Sequence, residues 1–110
     1  MQKSKYHAKR IKTLDGDFDS KKEYNRWCDL CLMQKAGIIT DLQRQVKFEL
    51  IPAQKEGKKT IERAAYYVAD FVYNKDGRRV VEDTKGVKTR DYILKRKIML
   101  WRYGVKIHEI

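Results

Sequence analysis

Two aspartates and a lysine, on neighbouring predicted strands, are the residues from which this chain can build a chemical site. Asp70 lies in an aromatic and β-branched run over residues 67–73, a composition typical of a strand. Asp83 and Lys85 follow in a second run, residues 78–86. Carboxylates next to an amine suggest metal binding and proton transfer, provided that the two strands bring them together.

The turn between these strands predicts that they do. Asp76-Gly77 favours a two-residue type I′ turn, because both central positions of that turn need a positive φ. Lys75 then faces Arg78, and Asp70 faces Asp83. A three-residue or bulged loop would shift this register by one.

Alternation along the strands predicts which side chains share the face of the site. We expect one face to carry Val68, Asp70, Val72, Val81, Asp83 and Lys85. Glu82 is expected on the opposite face, away from the site. Like charges directly opposite each other are destabilising, so a facing aspartate pair is better explained by a divalent cation than by structure alone.

The donor types predict which cation this is. Oxygen ligands without His or Cys suit Mg²⁺ or Mn²⁺ rather than zinc. A cation held by two carboxylates polarises a phosphoryl oxygen and lowers the pKa of its water. Lys85 can orient or deprotonate that water, or neutralise charge in the transition state. The implied reaction is hydrolysis of a phosphodiester.

A helix predicted over residues 20–36 carries a third acid. Ser20 and Glu23 form a capping box, and Gly37 ends the helix. On spacing alone Glu23 is better explained as a cap than as a third ligand. The side of this helix that is predicted to face the core carries Tyr24, Trp27, Cys28, Cys31 and Leu32.

The two cysteines lie within this helix. Cys28 and Cys31 form a C-x-x-C pair without a second pair to complete a zinc site. We expect two small buried thiols.

The charge balance predicts the partner. The chain has 110 residues, a net charge of +11 and a pI near 9.7, which favours nucleic acid. Residues 1–12 contain five Lys/Arg and no acid, and predict a basic arm that contacts phosphates or remains a solvated tail. Residues 13–110 are long enough for one domain. No apolar run is long enough to span a membrane, so we expect a cytoplasmic protein of the cell that makes it.

The remaining patterns predict the other elements. Residues 42–51 alternate as a half-buried strand that Pro52 ends, although the side to which Gln45 points stays open. Residues 54–59 form a polar, basic loop around Gly57, for which a hairpin tip is a simpler explanation than contact with a phosphate backbone. A second helix runs from its Thr89 cap to about Tyr103, and residues 105–110 form a last strand. The apolar stripe predicted for that helix is Tyr92, Ile93, Met99, Leu100 and Tyr103.

This order predicts an α/β fold, αβββαβ, in which a mixed β-sheet of about four strands is flanked by two helices. A strand, a helix and a strand at the end indicate a parallel crossover. From Lys85 to Lys106 there are eight Lys/Arg and one acid, which predicts a DNA-facing surface on the second helix.

The motifs together resemble the PD-(D/E)XK nuclease superfamily, and a family of small phage and prophage proteins placed in it. The similarity covers nearly the whole chain. It is carried by residues 18–23, 37–38, 45–48, 67–71, 82–86, Thr89 and 94–97. Ala69, rather than Pro, precedes the first acid.

The resemblance implies a restriction-endonuclease-like core and roles for individual residues. Asp70 and Asp83 would be metal ligands, Lys85 the catalytic lysine, and Glu23 rises from a cap to a third ligand. Lys95 and Lys97 match a basic helix, and which of them faces the site stays open. The DNA contacts expected from the arm and the basic run are Lys5, Lys9, Arg10, Lys88, Lys95 and Lys97.

The predicted function is a Mg²⁺-dependent endodeoxyribonuclease. Branched DNA, such as a Holliday junction in phage recombination or DNA processing, is the expected substrate, because so small a chain has little room to read a sequence. Resolvases of this kind usually act as homodimers. The alternatives are a non-catalytic basic DNA-binding module and, third, a structural subunit of a phage machine.

Overall fold

The computed structural model describes residues 10–110. Two helices and eight strands occur in this range, in the order β1 (Ile11–Thr13), β2 (Gly16–Phe18), α1 (Lys21–Lys35), β3 (Thr40–Ile51), β4 (Gln54–Glu56), β5 (Lys59–Glu62), β6 (Ala65–Lys75), β7 (Arg78–Asp83), α2 (Arg90–Tyr103) and β8 (His108–Glu109). Neither of these helices is long and apolar enough to cross a membrane.

The central sheet has four strands in the order β3-β6-β7-β8. β3, β6 and β7 are antiparallel neighbours, whereas β8 lies parallel to β7. The sheet is therefore mixed, and the parallel connection through α2 is confirmed. The pairs β1–β2 and β4–β5 form separate two-stranded sheets.

The turn between β6 and β7 has the predicted register. Lys75 pairs with Arg78, and the ladder continues to Phe71 opposite Glu82. Asp76 and Gly77 adopt φ of 52° and 76°, as a type I′ turn requires.

Both helices begin at the predicted caps. The Ser20 hydroxyl accepts a hydrogen bond from the Glu23 backbone N–H at 3.1 Å. Thr89 accepts one from Tyr92 at 3.1 Å. Gly104 ends α2 in the left-handed conformation, with φ 65°.

The buried stripes of the helices differ in part from the prediction. In α1 the fully buried apolar residue is Leu30, whereas Leu32 is 67 % exposed. Leu100 and Tyr103 of α2 are also exposed, so Tyr92 and Met99 supply its buried contacts. An apolar residue on a short helix can stay in water at little cost, which makes the edges of a stripe hard to place. Cys28 and Cys31 are free and half-buried rather than fully buried.

Each face of the sheet has its own apolar cluster. Phe71 and Tyr73 of β6 pack with Leu30 of α1 and with Ile39. The other cluster lies against α2 and is formed by Phe48, Leu50, Tyr67, Ala69, Val72, Val81, Tyr92, Met99 and Ile107. The helices therefore cover opposite faces, and the sheet lies between them.

Val68 and Val72 were predicted to lie on the same face of the sheet, and this prediction was wrong. Val72 is buried beside Val81, whereas Val68 is 42 % exposed. Along β6, Ala69 belongs to the α2-side cluster but Phe71 belongs to the α1-side cluster. Regular alternation would keep residues 69 and 71 on one face, so the strand changes face at Asp70.

Two predicted loops contain regular structure. Residues 54–59, predicted as a polar loop at a hairpin tip, belong to the β4–β5 hairpin and include part of its strands. Ile11 and Lys12, at the end of the predicted basic arm, belong to β1. Lys5 and Lys9, two of the predicted DNA contacts, lie outside the described residues.

Candidate metal-dependent hydrolase site

Asp83, the last residue of β7, is the most deeply buried acid of the site. It has no exposed surface, and the Tyr67 hydroxyl donates a hydrogen bond to its Oδ2 at 2.6 Å. Its Oδ1 is buried without a hydrogen-bond partner. The Lys85 amine is the nearest cation, 3.8 Å from that oxygen. A buried carboxylate oxygen without a donor is costly, so this atom points to a ligand.

Asp70 of β6 is held by Thr84, the residue that follows the end of β7. The Thr84 backbone N–H and hydroxyl both donate to Asp70 Oδ2, at 2.8 and 2.7 Å. Its Oδ1 accepts one hydrogen bond from the Gln45 amide at 3.3 Å. Because Thr84 follows Asp83, the hydrogen bonds fix Asp70 beside the buried acid, as the predicted register requires.

Glu23 approaches this pair from α1. Its carboxylate is buried, and Gln45 Nε2 donates to Glu23 Oε2 at 3.2 Å. Gln45 therefore bridges Glu23 and Asp70. Arg44 Nη2 lies 3.7 Å from the same Glu23 oxygen. The Glu23 backbone N–H thus donates to the Ser20 cap, while the Glu23 side chain faces the site.

Burial and crowded negative charge shift the protonation of two of these acids. Burial raises the pKa of Asp83 to about 7, with a further rise from the charge of Asp70 and opposition from the Tyr67 hydrogen bond and Lys85. Burial likewise raises the pKa of Glu23, and the charges of Asp70 and Asp19 add to it, while Arg44 opposes. A divalent cation would relieve both shifts, because it favours the ionised carboxylates.

Lys85 lines a cleft of about 240 Å³ together with Tyr67, the residue whose hydroxyl donates to Asp83. Tyr92, Lys95 and one acid, Asp91, line the same cleft. Lys97 lines a different cleft, with Leu100 and Val105. The structure therefore places Lys95, not Lys97, on the side of Lys85.

The donors fit a hard cation that takes only a few of its ligands from the protein. Within residues 10–110, no three His, Cys, Asp or Glu side chains form a group that could hold a metal ion. Mg²⁺ is nevertheless commonly bound through one or two carboxylates and keeps several waters. The orphaned Oδ1 of Asp83 and the lightly bonded Oδ1 of Asp70 would be those ligands, with Glu23 reaching them through Gln45.

Glu82 lies on the other face of β7, as predicted. Arg26 of α1 donates to its two carboxylate oxygens at 2.8 and 2.6 Å, and the Tyr73 hydroxyl also donates to it. This buried, fully paired carboxylate attaches α1 to the sheet and has no free oxygen to offer a metal.

Comparison with known proteins identifies a family. A family model described as "Protein of unknown function (DUF1064)" matches residues 3–110. The chain belongs to the DUF1064 family. No curated protein and no solved structure matches it.

The basic residues of this DUF1064 chain are distributed unevenly around the site. Arg10 lies 3.8 Å from Asp17 and 3.7 Å from Asp19. Lys88 lies 3.4 Å from Glu109. Both are partly neutralised, whereas Lys95 forms no ion pair within residues 10–110 and lines the cleft that contains Lys85.

Three residues that shape the candidate site were not predicted from the sequence. Tyr67 holds Asp83, Thr84 holds Asp70, and Arg44 neutralises Glu23. Thr84 lies between Asp83 and Lys85, so its position in the motif was a usable indication. Tyr67 and Arg44 act across the sheet and the helix, which local spacing does not reveal.

Proposed function

We propose that this chain is a Mg²⁺- or Mn²⁺-dependent endodeoxyribonuclease built on a restriction-endonuclease-like core. The observation that carries the proposal is the buried Asp83 Oδ1, which lacks a hydrogen-bond donor beside Asp70 and 3.8 Å from Lys85. Such an arrangement stabilises neither the strand pair nor the core. It suits a divalent cation held between the two carboxylates.

The fold order agrees with that proposal. A helix that bears an acid precedes three antiparallel strands, and the second and third of these bear Asp70 and Asp83. This is the order of elements that the PD-(D/E)XK resemblance implies. The β1–β2 and β4–β5 hairpins are additions to it.

Each side chain has a defined task in the proposed reaction. When bound, the cation would supply a Lewis acid and an acidic water for attack on phosphorus. Asp70 and Asp83 would hold it, while Thr84 and Tyr67 fix the directions of their carboxylates. Lys85 is placed to donate a proton or neutralise charge on the phosphate as negative charge develops there.

The proposed substrate is DNA, with branched DNA as the finer expectation. A net charge of +11 favours a polyanion, and the cleft is lined by two cations, Lys85 and Lys95, against one acid, Asp91. The resemblance to small phage and prophage proteins supports junctions of phage recombination, cut symmetrically by a homodimer.

The test is cleavage of labelled four-way junction, fork and duplex in Mg²⁺, Mn²⁺ or EDTA. We expect metal-dependent cutting that Asp70→Ala and Asp83→Ala each abolish while DNA binding is retained. Asp29→Asn on the exposed side of α1 is the control and should cut normally. Binding without cutting by the unaltered chain in either metal would refute the nuclease and leave the DNA-binding module.

A further inference from the structure

Beyond the edge of the sheet, the two strands of the β3–β6 ribbon lead into the separate β4–β5 hairpin. At the edge of the sheet Ile51 pairs with Ala65, and the pairing resumes with Gln54 opposite Glu62. These two pairs, on either side of the unpaired residues 52–53 and 63–64, have residue numbers with the same sum, and the register shifts by one residue next to each of them. Residues 52–64, which we call the ribbon arm, therefore continue the strands that carry Gln45 and Asp70.

The ribbon arm is in contact with solvent along its length. Residues 52–63 are all exposed, including every residue of β4 and β5. A two-stranded hairpin without a third strand or a helix is marginally stable alone. Its exposure is thus not explained by packing, and its side chains are available to a partner.

The charge of the ribbon arm indicates what that partner is. It carries four cations, Lys55, Lys58, Lys59 and Arg63, against the two acids Glu56 and Glu62. Among the ion pairs formed within residues 10–110, none involves these four cations. Unpaired cations at an exposed tip match a phosphate backbone, which binds by charge and releases counterions.

The length of the ribbon sets where contact would occur. Lys59 is eleven residues from Asp70 along the chain, which at a strand rise of about 3.3 Å gives a reach of at most about 36 Å. One turn of duplex DNA is about 34 Å long. A duplex whose phosphate lies at the Asp70–Asp83 pair can therefore also meet the tip.

We propose that the ribbon arm binds the phosphate backbone of duplex DNA within about one helical turn of the acidic site. Lys58 and Lys59 at the tip make the farthest contacts. The inference rests on the proposed function for the identity of the partner, but it concerns binding and not cleavage.

The test compares two charge reversals at opposite ends of the ribbon. Lys58→Glu/Lys59→Glu alters the arm, and Lys75→Glu/Arg78→Glu alters the turn beside Gly77 by the same net charge. Binding of a labelled 30-base-pair duplex is measured in EDTA over a range of KCl concentrations, so cleavage has no influence. Thermal unfolding of each variant confirms that it is folded.

We expect the arm variant to bind at least about tenfold more weakly and to lower the slope of log Kd against log salt by about two. The turn variant should change affinity less than about threefold. Equal losses in both variants, or wild-type affinity of the arm variant, would overturn the proposal. So would an arm-dependent affinity for duplex RNA that duplex DNA does not share. A chain that binds through its arm but cuts nothing refutes the nuclease and leaves this inference standing.

Discussion

The side-chain amide of Gln45 donates a hydrogen bond to Asp70 across the β3–β6 ladder, at the point where both strands change face. On β3, Leu42 packs on the α1 side and Val46 on the α2 side, although regular alternation would place both on one face. Gln45 adopts a φ of 52°, the conformation that makes this reversal possible. Asp70 can thereby be linked to Glu23 of α1 and also lie beside Asp83, which faces α2.

Gln45→Ala should weaken cation binding more than it slows the step that follows. Without the amide, the Glu23 and Asp70 carboxylates lose the donor that they share, and their repulsion opposes the geometry that a cation needs. We expect about a tenfold higher Mg²⁺ concentration for half-maximal cleavage, the loss of one hydrogen bond to a charged group. Cleavage rate against Mg²⁺ concentration measures this.

Gln43→Ala, two residues away on the same strand and exposed, is the matched control. It should leave the Mg²⁺ dependence unchanged. Identical Mg²⁺ curves for Gln45→Ala and Gln43→Ala would show that the bridge does not position the acids.

The part of the site that depends on local chemistry could be predicted from sequence. The Asp76-Gly77 turn fixes the β6–β7 register, and Ser20 and Thr89 fix where the helices begin. These features follow from residues within a few positions of one another. Because strand alternation is regular from Phe71 onward, Asp83 and Glu82 were also assigned correctly to opposite faces.

The part that depends on the change of face could not be predicted. A positive φ at a glutamine has no sequence pattern, so Val68 was placed wrongly and the direction of Gln45 stayed open. The exposure of Leu32 also depends on which residues of the sheet contact α1, and the sequence of the helix does not specify them. Tyr67 and Arg44 were missed because their partners are distant in sequence.

Substitutions at Ser20 and Glu23 should distinguish the effect of the helix cap on stability from the effect of the Glu23 carboxylate on cleavage. Ser20→Ala removes the acceptor for the Glu23 N–H and should lower the free energy of unfolding by about 1 kcal/mol while cleavage persists. Glu23→Gln keeps the backbone cap and removes a buried charge whose pKa is raised, so stability should not fall while cleavage drops at least about tenfold. Urea unfolding and cleavage assays measure the two effects. A Glu23→Gln protein that cuts normally would restrict Glu23 to capping.

Lys95 and Lys97 should differ although they are two residues apart. Lys95 lines the cleft that contains Lys85, whereas Lys97 lines the cleft with Leu100. We expect Lys95→Ala to reduce cleavage about tenfold, as the loss of a charge-assisted hydrogen bond to phosphate implies, and Lys97→Ala less than about threefold. Single-turnover rates with saturating protein measure the difference. The reverse order would mean that DNA approaches from the other side of α2.

The cation-free protein should lose stability as pH rises through neutrality. The pKa of Asp83 is raised from 3.8 to about 7 by burial beside Asp70, so the folded state binds a proton that the unfolded chain releases. This contribution is fully present below about pH 4 and disappears as pH passes about 7, a loss of at most about 4 kcal/mol. The raised pKa of Glu23 acts in the same direction.

Asp83→Asn isolates this effect, because an asparagine carbonyl still accepts from Tyr67 and carries no charge to desolvate. In EDTA, thermal unfolding between pH 5 and pH 8 should decline less steeply for Asp83→Asn than for the unaltered chain. Asp29→Asn, an exposed change of the same charge, should follow the unaltered chain. Parallel profiles for all three proteins would contradict the raised pKa. Added Mg²⁺ should restore stability at pH 8 to the unaltered chain but not to Asp83→Asn, because a cation that binds only the folded, ionised pair stabilises it.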